Sequence, residues 1–254
     1  PGTVENTRFD RAWTTFASVE KSWAYRQDQL PTTHPIFAEI NDLEDVEVNF
    51  DGITYAKGAS VLRQLVAWVG PEEFMAGVRE YFRKHAWRNT ELSDLMAELE
   101  KASGRDLDQW GRLWLETAGV NTLKPELTVG GDGTISSFAI LQSATEAQPT
   151  IRPHRLAVGF YNLTAAGKLE RVHREELDVD GGRTEVPSLA GLARPDLILL
   201  NDDDLAYAKV RLDPQSLATA TAHLKDFSQS LPRTLVWGSA WDAAHDGETP
   251  ARGY

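Results

Sequence analysis

The spacing of apolar side chains changes period twice along this chain, and those changes decide which elements each part can form. From Tyr55 to Val69 the apolar positions Val61, Leu62, Leu65, Val66 and Val69 form a helical stripe that Gly70-Pro71 stops. Phe74, Met75, Val78, Tyr81 and Phe82 repeat the spacing. Thr90 as a cap, Glu91 and Asp94 in the first turn, and Leu92, Leu95, Met96 and Leu99 beneath predict a third helix, closed by Gly104. Leu107, Trp110, Trp114 and Leu115 predict a fourth that ends before Gly119. Upstream, Trp13, Phe16 and Trp23 give Phe9 to Tyr25 a helical reading as well.

Beyond Asn121 the period falls to two. Leu127 and Val129 alternate, Gly130 to Gly133 turn the chain, and Ile135 to Leu141 follows. Leu156, Val158 and Phe160 alternate again, then a turn at Ala166-Gly167 leads to Leu169 to Val179. Glu185 to Leu189, Asp196 to Leu200 and Ala206 to Leu212 complete the strand candidates. Short strands separated by Gly, Asp and Pro turns predict a β-sandwich. From Asp213-Pro214 onward the helical period returns, over Ser216 to Leu224 and Leu231 to Ala243. The expectation is a multidomain α+β chain: helices over 1–120, a β-sandwich over 121–212, and the beginning of a helical domain over 213–254.

Composition bounds the function. A formal charge of −12 argues against nucleic acid or an anionic membrane as partner, because both demand clustered Lys and Arg. No run of about 18 apolar residues is present, so no membrane span is expected. No cysteine occurs, which removes disulfides, thiolate metal sites and a Cys nucleophile, and fits a cytoplasmic protein. The first residues lack a basic-then-apolar pattern, so no signal peptide is expected. A start at Pro1-Gly2 reads as a processed chain or a piece of something longer.

Most catalytic signatures fail. The chain has no G-x-S-x-G elbow, no Walker loop and no G-x-G-x-x-G. The glycines at 130–133 and 181–182 read as hairpin turns. Asn201-Asp202-Asp203-Asp204 lacks the alternating ligands and glycine of a calcium loop and reads as a turn between strands. The six histidines, 34, 85, 154, 173, 223 and 245, never form H-E-x-x-H. His173-Arg174-Glu175-Glu176 comes nearest, but in a strand, with no second histidine at helical spacing. A zinc site needs about three convergent protein ligands, and no such set is visible.

The segment Asn49-Phe50-Asp51-Gly52-Ile53-Thr54-Tyr55-Ala56-Lys57-Gly58-Ala59-Ser60-Val61-Leu62 is different. Taken alone, Tyr55 reads as a core tyrosine on an amphipathic helix. Its surroundings change that reading. Thr33-His34-Pro35-Ile36 stands upstream, and Trp110, Trp114-Leu115 and Gly119 stand downstream. Together these resemble the S/T-H-P, F-D-x-I-x-Y-x-K-G-x-x-V-L and W-x-x-x-W-L…G segments of the aminopeptidase N family of zinc peptidases, closest to its bacterial members. Asp28-Gln29-Leu30 to Ile36 and Asn201 to Leu212 are similar to it too. The family's H-E-x-x-H, its downstream glutamate and its G-x-M-E-N loop are missing.

The resemblance implies the helical end of a thermolysin-like catalytic domain over 1–120, followed by the sandwich and the start of the C-terminal helical domain. It implies zinc and a peptide substrate for the full-length parent, and none of the metal in this fragment, which is expected to be inactive. It implies the upstream catalytic half and the downstream helical domain of the same parent chain as partners. Tyr55 would be the catalytic hydrogen-bond donor to the transition-state oxyanion, since a phenol keeps its proton at neutral pH. Lys57 receives no role, with solvent exposure as the plain alternative. Gly58 would admit close packing. His34 and Asp51 would border the substrate cleft or hold the loop of Tyr55. The rival readings are a non-catalytic binding module built on the sandwich, and a family member that has lost its metal and serves as a scaffold.

Overall fold

A computed structural model describes residues 9–253; residues 1–8 and 254, at the ends of the two expected helical parts, lie outside the described residues. Helical backbone runs continuously through Ala12–Thr15, a π stretch Phe16–Lys21 and Ser22–Asp28, here α1. A short helix, α2, spans Leu43–Val48. The stretch Ile53–Lys57 is again π and continues as Gly58–Val69; together they are α3. Helices α4 (Pro71–His85), α5 (Leu92–Ser103) and α6 (Asp108–Leu115) complete the first part.

Seven strands follow among the described residues: β1 Thr122–Val129, β2 Ile135–Ser143, β3 His154–Leu163, β4 Leu169–Val179, β5 Arg183–Glu185, β6 Leu197–Asp202 and β7 Lys209–Val210. They make one sheet in the order β5-β2-β1-β7, mixed because β7 pairs parallel to β1, and an antiparallel sheet in the order β4-β3-β6. Among the described residues two α-helices follow the strands, α7 (Pro214–His223) and α8 (Ser230–His245). The α+β class expected from the sequence holds.

Apolar pattern explains how the layers stack. Leu123, Phe138 and Ile140 of one sheet meet Leu156, Val158, Ile198 and Leu200 of the other in a shared core. The second sheet is covered on its far face too, where Leu197 and Leu199 pack with Ala220 and Phe227 of the closing helical part. Strand β6 is therefore buried on both faces. That is why it reads as an unbroken apolar run, Leu197 to Leu200, rather than an alternation.

Several local expectations need correction. Glu185 to Leu189 is not a strand: the ladder ends at Glu185, and Pro187–Leu189 is a 3₁₀ turn. Pro187 has no N–H to give a ladder. Ala206 to Leu212 pairs only over Lys209–Val210. The Asn201 side chain clasps the backbone of Ala206 through both its N–H and its C=O, at 2.8 Å each, and holds that stretch off the sheet. Helix α5 is capped by Glu91 in a capping box with Asp94. Thr90 instead bonds the Tyr81 hydroxyl.

Candidate functional site

Tyr55 sits in the first turn of α3 with about half of its surface exposed (49%), so it is no core tyrosine. Its ring meets Phe50 edge-on at 4.8 Å between centroids, and its hydroxyl has no hydrogen-bond partner among the described residues. Asp51 sets the start of this helix. Its Oδ1 accepts from the N–H groups of Ile53 (2.9 Å) and Thr54 (3.0 Å), and its carbonyl accepts from Tyr55 N–H at 3.1 Å. That is the arrangement of an N-cap, which satisfies amides the first turn leaves open. The remaining oxygen, Oδ2, lies 3.1 Å from His34 Nε2, while His34 Nδ1 lies 2.7 Å from the carbonyl of Pro35. Asp51 bonds the backbone that carries Tyr55, and His34 reaches it only through the Asp51 carboxylate, so of the two expected roles these contacts are those of holding the loop.

Gly52 permits the approach of α1. Its N–H donates to Gln27 Oε1 at 2.6 Å, and a Cβ there would stand 2.8 Å from the Trp23 ring. Gly58 does not have the packing role expected of it, because a Cβ would find only ordinary contacts from 3.8 Å outward.

Lys57 is the larger correction. It is fully buried, not solvent-exposed. Two residues after Tyr55, it projects to the opposite side of the π stretch, where its ammonium pairs with Asp28 Oδ2 at 2.8 Å and donates to the Gly119 carbonyl at 3.2 Å. It also stands 5.5 Å from the centre of the Tyr207 ring. Asp28 has no oxygen to spare: Oδ1 accepts from Thr33 Oγ1 (2.7 Å) and Gly119 N–H (2.8 Å), and Oδ2 also accepts from Tyr207 Oη (3.2 Å). Burial pulls the Lys57 ammonium below the ordinary lysine range against the attraction of Asp28. Gly119 completes this junction with φ of +93°, a backbone that favours glycine.

The three sequence segments singled out above thus meet at one carboxylate. Thr33 belongs to the T-H-P-I segment, Lys57 to the tyrosine segment, and Gly119 to the end of the tryptophan segment. Phe37 N–H donates to the Leu115 carbonyl at 2.8 Å and adds a further link. Sequence reading missed Asp28, although the signal was present. Lys21, Ala24 and Asp28 fall three and four apart on one helical stripe, and all three are buried. Two charged residues in register with a core alanine mark a polar junction inside the fold. Lys21 forms the second one, with Asp204 Oδ1 at 2.5 Å and the Ala206 carbonyl at 2.8 Å. The turn expected at Asn201 to Asp204 therefore also ends in a buried ion pair.

His154 lies behind this site at the start of β3, edge-on to Trp114 at 5.1 Å and flanked by Gln142 and Gln64. Burial first, then the charges of Arg152 and Lys21, push its pKa down to about 3. An unfolded histidine takes a proton below about 6.5. The sign is therefore that of a neutral buried base: its contribution is complete above about 6.5 and is lost as pH falls toward about 3. His154→Gln is expected to gain on the parent sequence as melts move from pH 7 to pH 4. An equal difference at both pH values would mean that His154 takes up its proton in the fold as readily as in the unfolded chain.

The profile of the Peptidase family M1 domain matches residues 3–114, and that of the ERAP1-like C-terminal domain matches residues 197–254. Aminopeptidase N of Streptomyces lividans is 61% identical over 98% of this chain. The chain belongs to the aminopeptidase N family. Aminopeptidase M1 of Arabidopsis thaliana is 29% identical over 87% of the chain, and Tricorn protease-interacting factor F2 of Thermoplasma volcanium 28% over 87%. The chain spans 30% of the length of the Streptomyces relative, and 25% and 26% of the other two. Among the described residues no three His, Asp or Glu side chains come together to hold a metal ion, and no helix is long and apolar enough to cross a membrane. The zinc of this family does not fit the residues described.

Proposed function

We propose that this chain is the part of a zinc aminopeptidase that supplies its oxyanion donor, Tyr55, within an enzyme that removes N-terminal amino acids from peptides. In this reading residues 1–120 are the helical end of the catalytic domain, 121–212 the β-sandwich, and 213–254 the beginning of the C-terminal helical domain. The metal, the water it activates and the amine-binding loop belong to the remainder of the full-length protein. Absence of cysteine supports a cytoplasmic placement.

One observation carries the reading: a phenol hydroxyl with no partner among the described residues, presented from a helix turn that Asp51 caps. When a carbonyl carbon becomes tetrahedral, charge collects on its oxygen. A fixed neutral donor aimed at that oxygen favours the transition state over the ground state. Phe50, whose ring meets that of Tyr55, is exposed, and so are Phe37, Ile40, Leu43 and Val48 in the segment before it, apolar surface that the upstream half of the same protein would cover. Neither rival reading, a binding module nor a metal-free scaffold, calls for an open phenol on a capped turn. The test removes the hydroxyl alone, Tyr55→Phe in the full-length protein. A fall in kcat at constant melting temperature supports the donor, and an unchanged kcat overturns it.

A further inference from the structure

We infer that Lys57 is a positioning residue for Tyr55: its buried pair with Asp28 fixes the π turn from which the tyrosine hydroxyl is aimed. The inference rests on the donor reading of Tyr55 and extends it to a residue that touches no substrate.

The π stretch Ile53–Lys57 is held at both ends and on opposite sides. At its start Asp51 binds the amides of Ile53 and Thr54. At its end Lys57 reaches inward to Asp28 and Gly119, while Tyr55 faces outward. Single π turns are rarely adopted without a constraint and recur at functional sites. Sliding this turn back to α-helical spacing would rotate Tyr55 and Lys57 together, because they share one backbone. Asp28 opposes that rotation. Its four donors come from the α1 end loop (Thr33), the α6–β1 link (Gly119), Tyr207 and Lys57 itself. An apolar residue could fill the space of Lys57, but it would have no fixed point to hold. A donor displaced by about 1 Å can cost about 10²-fold in rate, so the hold acts on chemistry as well as on stability.

The experiment uses the full-length protein, an aminoacyl arylamide substrate and a thermal melt. Its variants are Lys57→Met, the pair Asp28→Asn with Lys57→Met, and each of these combined with Tyr55→Phe. The paired variant leaves no unpaired charge behind and guards against a single variant that fails to fold. The expected result is a kcat lowered about tenfold or more with KM within about twofold, and no further loss when Tyr55→Phe is already present. A falling melting temperature with normal kcat would show a purely structural pair and overturn the inference. So would losses that multiply with that of Tyr55→Phe. If Tyr55→Phe itself kept its kcat, the donor reading would fall and take this inference with it. A deep loss in Tyr55→Phe beside a normal Lys57→Met would remove the inference alone.

Discussion

Tyr55→Phe in the full-length protein should lower kcat by about 10²–10³ while KM changes little. The ring and its edge contact with Phe50 survive the change, and the cap on α3 uses only Asp51 and backbone amides. The hydroxyl holds nothing among the described residues in place, so its removal should leave the melting temperature close to that of the parent. A tyrosine whose hydroxyl served stability would behave in the reverse way, keeping kcat and losing about 1 kcal/mol when a buried hydrogen bond goes. Steady-state kinetics and a melt on this one variant separate the two. Retention of more than about a third of kcat lies far outside the loss of such a donor and would take Tyr55 out of the mechanism.

The second large effect is on stability. Lys57→Met should leave the Asp28 carboxylate buried, facing Thr33, Gly119 and Tyr207 but no cation. Breaking a buried pair on one side costs about 3–5 kcal/mol, because a charge remains without its counter-charge. Hydrogen exchange reads this locally, at the amide of Gly119, whose bond to Asp28 the substitution does not touch. Protection there should fall by about 10²–10⁴. Replacing Asp28 by Asn as well should restore most of it, since a neutral pair asks for no desolvated charge. Equal protection in Lys57→Met and the parent protein would mean that the ammonium contributes nothing to the junction.

Element types were legible wherever a periodic stripe faced one core. Helices α3 to α6 and strands β1 to β4 follow from spacing, although β3, like β6, is buried on both faces, with Phe160 between the sheets and Tyr161 against the closing helices. The failures have local causes. Pro187 ended a strand early, and the clasp of Asn201 on Ala206 held another off its sheet. Helix α2 left no stripe to read: it is six residues long and its apolar members Leu43, Val46 and Val48 are exposed. The site divides in the same manner. Tyr55 was recognisable because its whole segment carries a recurring pattern, and Asp51 and His34 because they flank it. Asp28 left only its place on the stripe with Lys21 and Ala24, and the burial of Lys57 left no signal, because their ion pair joins residues 29 positions apart. Long-range pairs of this kind become visible only when the fold brings their elements together.

The central claim is that the Tyr55 hydroxyl binds the transition state and not the substrate. The most direct test measures the affinity of full-length protein and Tyr55→Phe for two ligands: an aminoalkyl phosphonate that mimics the tetrahedral state, and the product amino acid. Calorimetric titration should show Kd for the phosphonate rising by about 10²–10³ in Tyr55→Phe, in step with the loss in kcat, while Kd for the amino acid stays within about twofold. Equal weakening of both ligands, or of neither, would contradict the account.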